Sequence, residues 1–305
     1  MGKIDLHVHT RASVDGELSG EELIRLAIKE NVSTLAITDH DSIEEVDNAM
    51  AWGEKLGVEV IPGTEVFCQN RSQLVHLLAY YIDLDESPVS QIIETVNADR
   101  KRWLQAQIKL LKENGLYLDE ANVYEFSKDT SPAPSSLSYG VFKDERNTNH
   151  PLIIEYNKKY SNPVLEFALQ FLVFGKPFYA PNYIPETKVF IEAVHRSGGV
   201  AVLAHPGYTQ MKVDFIDTTF VDELLEQGLS GVEAYYTTHS EEETQRYLAY
   251  CKKHQLLFTS GSDFHGKFKP TITLGQLGTT DYSIIERLNQ EKNRIRKKER
   301  MRNKL

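Results

Sequence analysis

The sequence predicts an α/β protein, built on a parallel sheet or barrel and interrupted by a helical insertion. Three observations carry this expectation. Both ends of the 305-residue chain alternate short apolar runs with amphipathic stretches, as successive β-α units do. The alternation stops between about residues 88 and 176, where only helical patterns are visible. Histidines and carboxylates recur where the apolar runs end, which is where parallel β/α folds place their chemistry.

Strand one runs from about Lys3 to His9. Residues i and i+2 of a strand share a side, so His7 and His9 converge, and imidazole is the commonest side-chain metal ligand. A loop from Thr10 to Leu18 follows. Ser19-Gly20-Glu21-Glu22 then reads as a capping box, opening a helix with Leu23, Leu26 and Ala27 on one face. Strand two, Thr34 to Thr38, ends in Asp39-His40-Asp41. A helix from about Ile43 to Lys55 stops at Gly57. Strand three, Glu59 to Ile61, leads into Pro62-Gly63-Thr64-Glu65. Strand four, Leu74 to Ile82, carries His76.

In the insertion, Val89 to Glu113 is a long helical pattern with a charged middle. Asp129 to Ser138 is rich in Ser and Pro and reads as a loop, and two or three further helices end at Phe174. The alternation resumes with a helix from Pro185 to Arg196, ended by Gly198-Gly199. Strand five, Val200 to Ala204, runs into His205-Pro206-Gly207. A helix from about Phe220 to Gln227 precedes strand six, Gly231 to Tyr235. A second capping box, Ser240-Glu241-Glu242-Glu243, starts a helix through His254. Strand seven, Leu256 to Thr259, continues into Ser260-Gly261-Ser262-Asp263-Phe264-His265. A last strand near Ile272 to Leu277 and a basic, solvated, partly frayed C-terminal helix finish the chain. The expected organisation is a barrel of residues 1–87 and 177–290, a helical cap of 88–176 and a basic tail of 291–305.

Composition narrows the class. Hydrophobic residues make up 41%, which suits a globular enzyme, and no apolar run approaches a membrane span. The opening residues read as a strand, so no signal peptide is expected, and two cysteines, Cys68 and Cys251, are too few for a disulfide framework. A cytoplasmic protein is expected. The formal net charge is −10, yet the stretch 291–305 carries eight basic and two acidic residues, leaving the remainder at −16. So acidic a body does not suit non-specific nucleic-acid binding, and bound divalent cations would offset part of its charge, while the tail reads as a solvated helix or, alternatively, a basic arm for RNA or acidic partners.

The candidate ligands are His7, His9, Asp15, His40, Glu65, His76, His205, Asp263 and His265. Imidazoles with carboxylates and no thiolates suit zinc, iron or manganese. The set exceeds what one ion uses, and a carboxylate such as Glu65 can bridge, so two to three divalent ions are expected. Duller readings stand beside this one. His76 in an apolar strand reads as a core histidine, Asp15 before Gly16 as a turn residue and Glu65 as surface. Asp39 reads as a partner of a ligating histidine's other ring nitrogen. His150, His195 and His254 read as surface or helix residues. Ser260-Gly261-Ser262 lacks the Gly-x-Ser-x-Gly elbow, and neither a P-loop nor a dinucleotide fingerprint is present.

Asp5-Leu6-His7-Val8-His9-Thr10, Thr38-Asp39-His40-Asp41, Pro62-Gly63-Thr64-Glu65, Ala204-His205-Pro206-Gly207 and Gly261-Ser262-Asp263-Phe264-His265-Gly266 resemble, in order, the motifs of the polymerase and histidinol phosphatase (PHP) family. The resemblance implies a distorted (β/α)7 barrel with a trinuclear site. It assigns His7, His9, Glu65 and Asp263 to one ion, Glu65, His76 and His205 to a second, and Asp15, His40 and His265 to a third. The insertion and Tyr236-Thr237-Thr238-His239-Ser240 resemble a branch of stand-alone phosphoesterases acting on nucleoside monophosphates, 3′,5′-bisphosphates or short oligonucleotides.

Two departures stand out. Ser13-Val14-Asp15-Gly16 has one residue more than the branch's Ser-Asp-Gly. Pro134-Ser135-Ser136-Leu137-Ser138 stands where the branch usually has an Arg and a His. The expected activity is hydrolysis of a small nucleotide phosphomonoester by a metal-activated water, with His205 or His265 as proton donor. Arg11, Ser13, Lys176 and His239 are the expected substrate contacts. Exonuclease action on short oligonucleotides, histidinol-phosphatase-like activity, amide or lactone hydrolysis and an inactive nucleotide-binding module are the alternatives. The partner is a small phosphorylated molecule, with no membrane and no stable nucleic-acid partner.

Overall fold

The computed structural model describes residues 2–71, 73–128, 130–208, 212–215 and 218–302. Asp129 and residues 303–305, which figure in the expectations above, lie outside the described residues. In chain order the elements begin β1 (Lys3–Val8), α1 (Gly20–Lys29), β2 (Val32–Ile37), α2 (Val46–Leu56), β3 (Glu59–Ile61), β4 (Gly63–Asn70) and β5 (Gln73–Tyr80). Then come α3 (Pro88–Glu113), α4 (Glu120–Ser127), α5 (Pro134–Lys143), α6 (Pro151–Lys159), α7 (Pro163–Phe167) and a π-helical turn at Ala168–Leu172. The chain closes with α8 (Thr187–Arg196), β6 (Val200–Leu203), α9 (Thr219–Glu226), β7 (Gly231–Tyr236), α10 (Glu241–His254), β8 (Leu257–Gly261) and α11 (Ser283–Arg302).

Residues fall into two compact units, Glu94–Tyr183 and the remainder. In the larger unit the strands form a mixed α/β arrangement of two sheets rather than one closed seven-stranded barrel. One sheet has the order β1-β2-β3 and the other β4-β5-β6-β7-β8. Pairing within the first is parallel, whereas β5 runs antiparallel to both β4 and β6. Two corrections to the sequence reading follow. The Pro62-Gly63-Thr64-Glu65 stretch leads into β4, half of a hairpin with β5. At Gly63 a Cβ would come within 2.4 Å of the Ala79 carbonyl, so the close approach of the hairpin requires glycine there. The stretch Ile272–Leu277 is a run of turns, because Gly275 and Gly278 hold φ of +67° and +65°, outside the strand region.

Each flanking helix buries its apolar stripe. Leu23, Ile24 and Ala27 of α1 pack with Leu35 and Ile37 of β2, and Phe190 and Ile191 of α8 pack with Leu77 and Leu203. The capping boxes at Ser19/Glu22 and Ser240/Glu243 form as expected. α11 starts ahead of the basic tail and is docked there, whereas within the described tail residues 291–302 Ile295 alone is buried and the basic helix is largely solvated, as expected. Ile284, Ile285, Leu288 and Ile295 of α11 are buried with Ile4, Leu6 and Val200. Arg296 donates to the carbonyls of Gly198 and Tyr81 at 3.0 and 3.1 Å. Among the described residues no helix is long and apolar enough to cross a membrane.

The inserted unit has its own core of Trp103, Leu111, Leu137, Tyr156 and Phe167. Of the Ser/Pro-rich segment expected as a loop, residues 130–133 are non-helical, but Pro134 to Ser138 form the first turns of α5. Pro134 at the helix start has no N–H to satisfy, and Ser136 accepts from the Ala133 N–H at 2.9 Å.

The two sheets meet where the strands of the first one end. Asp263 N donates to His7 O at 2.8 Å, and His9 N donates to Phe264 O at 2.9 Å. On the other side Glu65 N donates to Asp39 O at 3.0 Å, and Asp41 N to Glu65 O at 2.9 Å. Buried Asp5 reinforces the first junction by accepting from Ser262 N (2.8 Å), Ser262 Oγ (2.6 Å) and Gly275 N (2.7 Å). Replacing Asp5 with Ala strands these donors. The Asp5→Ala variant is expected to lose about 3 kcal/mol in denaturant unfolding. An unchanged midpoint would mean that the junction does not depend on Asp5.

Candidate metal centre

β1 and the residue that follows it deliver His7 and His9 to one place, and both rings are fully buried. Glu65, on β4, is equally buried and occupies the middle of the cluster. Its Oε2 lies 3.2 Å from His7 Nε2, 3.4 Å from His9 Nε2 and 3.0 Å from His40 Nδ1. Its Oε1 lies 2.8 Å from both His76 Nδ1 and His205 Nε2. Asp263 Oδ1 stands 3.6 Å from His7 Nε2, 3.2 Å from His9 Nε2 and 3.3 Å from His265 Nδ1. Asp15 Oδ1 comes within 3.6 Å of His265 Nε2, so the extra residue in its loop does not carry it away. Every residue singled out as a ligand in the sequence is thus part of one cluster.

Several of these atoms have nothing to bond to within the protein. His7 Nε2, His9 Nε2, His265 Nε2, Asp15 Oδ1 and Glu65 Oε2 are buried without a hydrogen-bond partner. Unpaired buried polar atoms are costly, and so many aimed at one another call for a cation. Donor atoms sharing one ion at bonds of about 2.1 Å lie about 3.0–3.4 Å apart. The separations around Glu65 Oε2 match that spacing. The donor atoms of His9/His40/His265, of His7/His9/Glu65, of His7/His205/Asp263 and of His40/Glu65/His76 each fall within 4.8 Å of one another. The residues present therefore fit divalent metal ions.

The surroundings select tautomers. Glu233 of β7, which the sequence reading missed, accepts from His7 Nδ1 at 3.0 Å and leaves Nε2 as the bare nitrogen. It also accepts from His205 N at 2.8 Å. Asp39 accepts from Thr10 N and Thr10 Oγ1, both at 2.6 Å, and from Ser13 Oγ at 3.0 Å. The Ser13 oxygen then accepts from His9 Nδ1 and from His40 N, both at 2.9 Å. Asp39 thus orients His9 through Ser13 rather than directly. The backbone is strained at two of the cluster residues, with φ of +22° at His205 and +60° at Asp263. Gly261 is required beneath them, since a Cβ would meet His7 Cβ at 2.2 Å and Glu233 Oε1 at 2.5 Å.

The electrostatics divide the histidines. Burial lowers the His7 pKa, but Glu233, Glu65 and Asp263 overcome it and hold the ring well above its ordinary value. His9 is likewise opposed by burial and raised to about 9 by Asp263 and Glu65. Burial pushes His40 well down and His265 to about 3. Burial opposes ionisation of Glu65, yet the imidazoles around it hold the carboxyl well below its usual range. Asp15 is held at about 2 against its burial, chiefly by His265 and His40.

The expected substrate contacts fare differently from the ligands. The Ser13 hydroxyl is buried and fully engaged within the protein. His239 donates from Nδ1 to Ala234 O at 3.0 Å and accepts from Gly207 N at Nε2 at 3.1 Å, which leaves neither ring nitrogen for a ligand. Arg11 is exposed and paired with Glu45 at 2.6 Å. Lys176 sits exposed in a turn of the inserted unit. The missed residues are Glu233, Tyr236 and Lys269. An acid within the apolar run of β7 was a readable signal for Glu233, whereas nothing in the local sequence marks Lys269.

The PHP domain profile matches residues 5–162. A 5′-3′ exoribonuclease of Haemophilus influenzae is 28% identical over 264 residues, 86% of this chain and 90% of that protein. A 3′,5′-nucleoside bisphosphate phosphatase of Chromobacterium violaceum is 28% identical over 272 residues, 87% of this chain and 88% of that one. A solved structure from Bifidobacterium adolescentis, described as a candidate metal-dependent phosphoesterase, superimposes with a TM-score of 0.75 at 26% identity, covering 93% of this chain and 94% of its own.

Because Glu233 both fixes the His7 tautomer and holds the strained His205 backbone, Glu233→Gln is expected to weaken metal affinity by about 10- to 100-fold. Titration of the metal-depleted protein with Mn²⁺ measures this, and unchanged affinity would remove Glu233 from the site's support.

Proposed function

The chain belongs to the PHP domain family and is a metal-dependent phosphoesterase, and within that class we propose that it removes a phosphoryl group from a small nucleotide, of the nucleoside monophosphate or 3′,5′-bisphosphate type. The observation that carries the reading is the convergence of unpartnered nitrogen and oxygen atoms on Glu65 and Asp263. The proposed ligands are His7, His9, Asp15, His40, Glu65, His76, His205, Asp263 and His265, holding two to three ions of the Mn, Zn or Fe type. Divalent ions in such a site supply Lewis-acid stabilisation of phosphoryl oxygens and a water acidic enough to attack near neutral pH.

The chain's own residues orient and hold charge. Glu65 spans the imidazoles and can serve more than one ion. Ser13 and Glu233 keep His9 and His7 with their bare nitrogens inward. Of the two histidines expected to donate a proton, His265 is unsuited. Its Nδ1–H is donated to the Asp263 carbonyl at 2.8 Å, and its Nε2 is bare. His205 places Nε2 2.8 Å from Glu65 Oε1, and we read it as a metal ligand rather than as the proton donor. We read the two sheets as halves of a distorted barrel and the segment around 88–176 as a helical insertion in its sequence. Two free, buried cysteines support a cytoplasmic setting.

The relatives' names span phosphomonoester and phosphodiester hydrolysis, so the test compares both. Metal-depleted protein is assayed with and without Mn²⁺ on AMP, a nucleoside 3′,5′-bisphosphate, histidinol phosphate and a short oligoribonucleotide. Metal-dependent phosphate release from the mononucleotides is expected. Release of mononucleotides from the oligomer alone would establish the exonuclease instead. Absence of any product from metal-loaded protein would overturn the phosphoesterase reading.

A further inference from the structure

The substrate contacts expected from the sequence leave the negative end of the substrate without an obvious grip near the metal cluster. Ser13 and His239 are engaged internally and Arg11 is paired with Glu45. The loop after β8 supplies a different cation. Lys269 Nζ bonds Asp263 Oδ2, the same oxygen that accepts from Tyr236 OH at 2.7 Å. Asp263 therefore keeps Oδ1 for the histidines and Oδ2 for these donors. The Lys269 side chain is 35% exposed and the Asp263 side chain 5%, so solvent reaches the lysine where it does not reach the carboxylate. Tyr208, half-buried and with its ring centroid 5.3 Å from that of His205, is an electrostatic neighbour of Lys269, Asp263 and Asp15.

The loop holds this cation in place. Lys267 N donates to Glu17 Oε2 at 2.7 Å, Lys269 N to Gly266 O at 3.2 Å, and Ile272 N to Lys269 O at 2.9 Å. An ammonium has three donors, and the contact with Asp263 uses one. A phosphomonoester dianion offers three terminal oxygens and a phosphodiester monoanion two. A fixed cation beside the cluster stabilises the first more than the second, because its attraction scales with the charge it meets.

On the phosphoesterase reading above, we propose that Lys269 is a substrate-binding residue whose ammonium takes a terminal oxygen of a phosphomonoester, making the dianionic monoester the favoured substrate class. This cation comes from the β8 loop of the larger unit.

The test uses full-length, metal-loaded wild-type, Lys269→Met and Lys269→Arg proteins. Metal content is measured first, then inorganic phosphate binding by calorimetry, then kcat/KM on p-nitrophenyl phosphate and bis(p-nitrophenyl) phosphate. In Lys269→Met, phosphate binding is expected to weaken about 10- to 100-fold, with metal content kept. The monoester kcat/KM falls by a similar factor, the diester value falls far less, and Lys269→Arg recovers part of the loss. Unchanged phosphate binding, or equal losses on both esters, overturns the proposal. So does loss of metal from both variants, which would make Lys269 a positioning residue for Asp263. If the wild type hydrolyses neither ester, the hydrolase reading fails, and the phosphate titration alone still decides for or against Lys269.

Discussion

A carboxylate with no exposure to water stands among imidazoles, and much of the larger unit is arranged to make that tolerable. Burying a charge is expensive unless it is paired and hydrogen-bonded. Glu65 meets His76 and His205 through one oxygen and His7, His9 and His40 through the other. The second oxygen has no hydrogen bond in the protein. Its backbone is clamped on both sides by Asp39 and Asp41. The same clamps join the two sheets, so the site and the fold share their fixings. A cation held by Glu65 would give that oxygen the partner that hydrogen bonding within the protein does not.

The residues behind the cluster explain why the arrangement is specific. Asp5, Asp39 and Glu233 are buried carboxylates that accept from backbone N–H groups or from the residues that orient the histidines. Each ties a loop to a strand end. Asp5 holds the loop after β8, Asp39 the loop after β1, and Glu233 the turn at His205. The left-handed backbone at His205 and Asp263 persists because these bonds over-determine it. In the metal-free protein His7 and His9 hold protons more tightly than an isolated imidazole, which offsets part of the negative charge that an ion would otherwise meet. Metal loading must displace those protons.

Much of this was legible in the sequence because chemistry and periodicity coincide there. The His-x-His spacing works through the two-residue repeat of a strand, and the parallel β-α rhythm located His205 and Asp263 just past strand ends, whereas Glu65 lies near the start of β4 in an antiparallel hairpin. The antiparallel hairpin of β4 and β5 was less legible, since Pro62-Gly63 resembles a turn until Gly63 is seen lying against the Ala79 carbonyl. The Pro/Ser-rich start of α5 was hidden for the opposite reason, as Pro suits a helix's first turn as well as a loop. The final strand was misread because an alternating pattern at Ile272–Leu277 is overruled by two positive-φ glycines. Ser13, His239 and Lys269 show the limit most plainly. Whether a polar side chain faces a ligand or a neighbour depends on contacts made across the fold, such as Ser13 with Asp39 and Lys269 with Asp263.

The central proposal is that Glu65 would serve more than one metal ion in a single site. Metal stoichiometry of the depleted and reloaded chain tests it directly, with Glu65→Ala compared against Asp15→Ala. The account predicts at least two divalent ions per chain in the wild type, loss of more than one with Glu65→Ala and loss of no more than one with Asp15→Ala. A single ion per chain, or a Glu65→Ala variant that keeps its full complement, would contradict it.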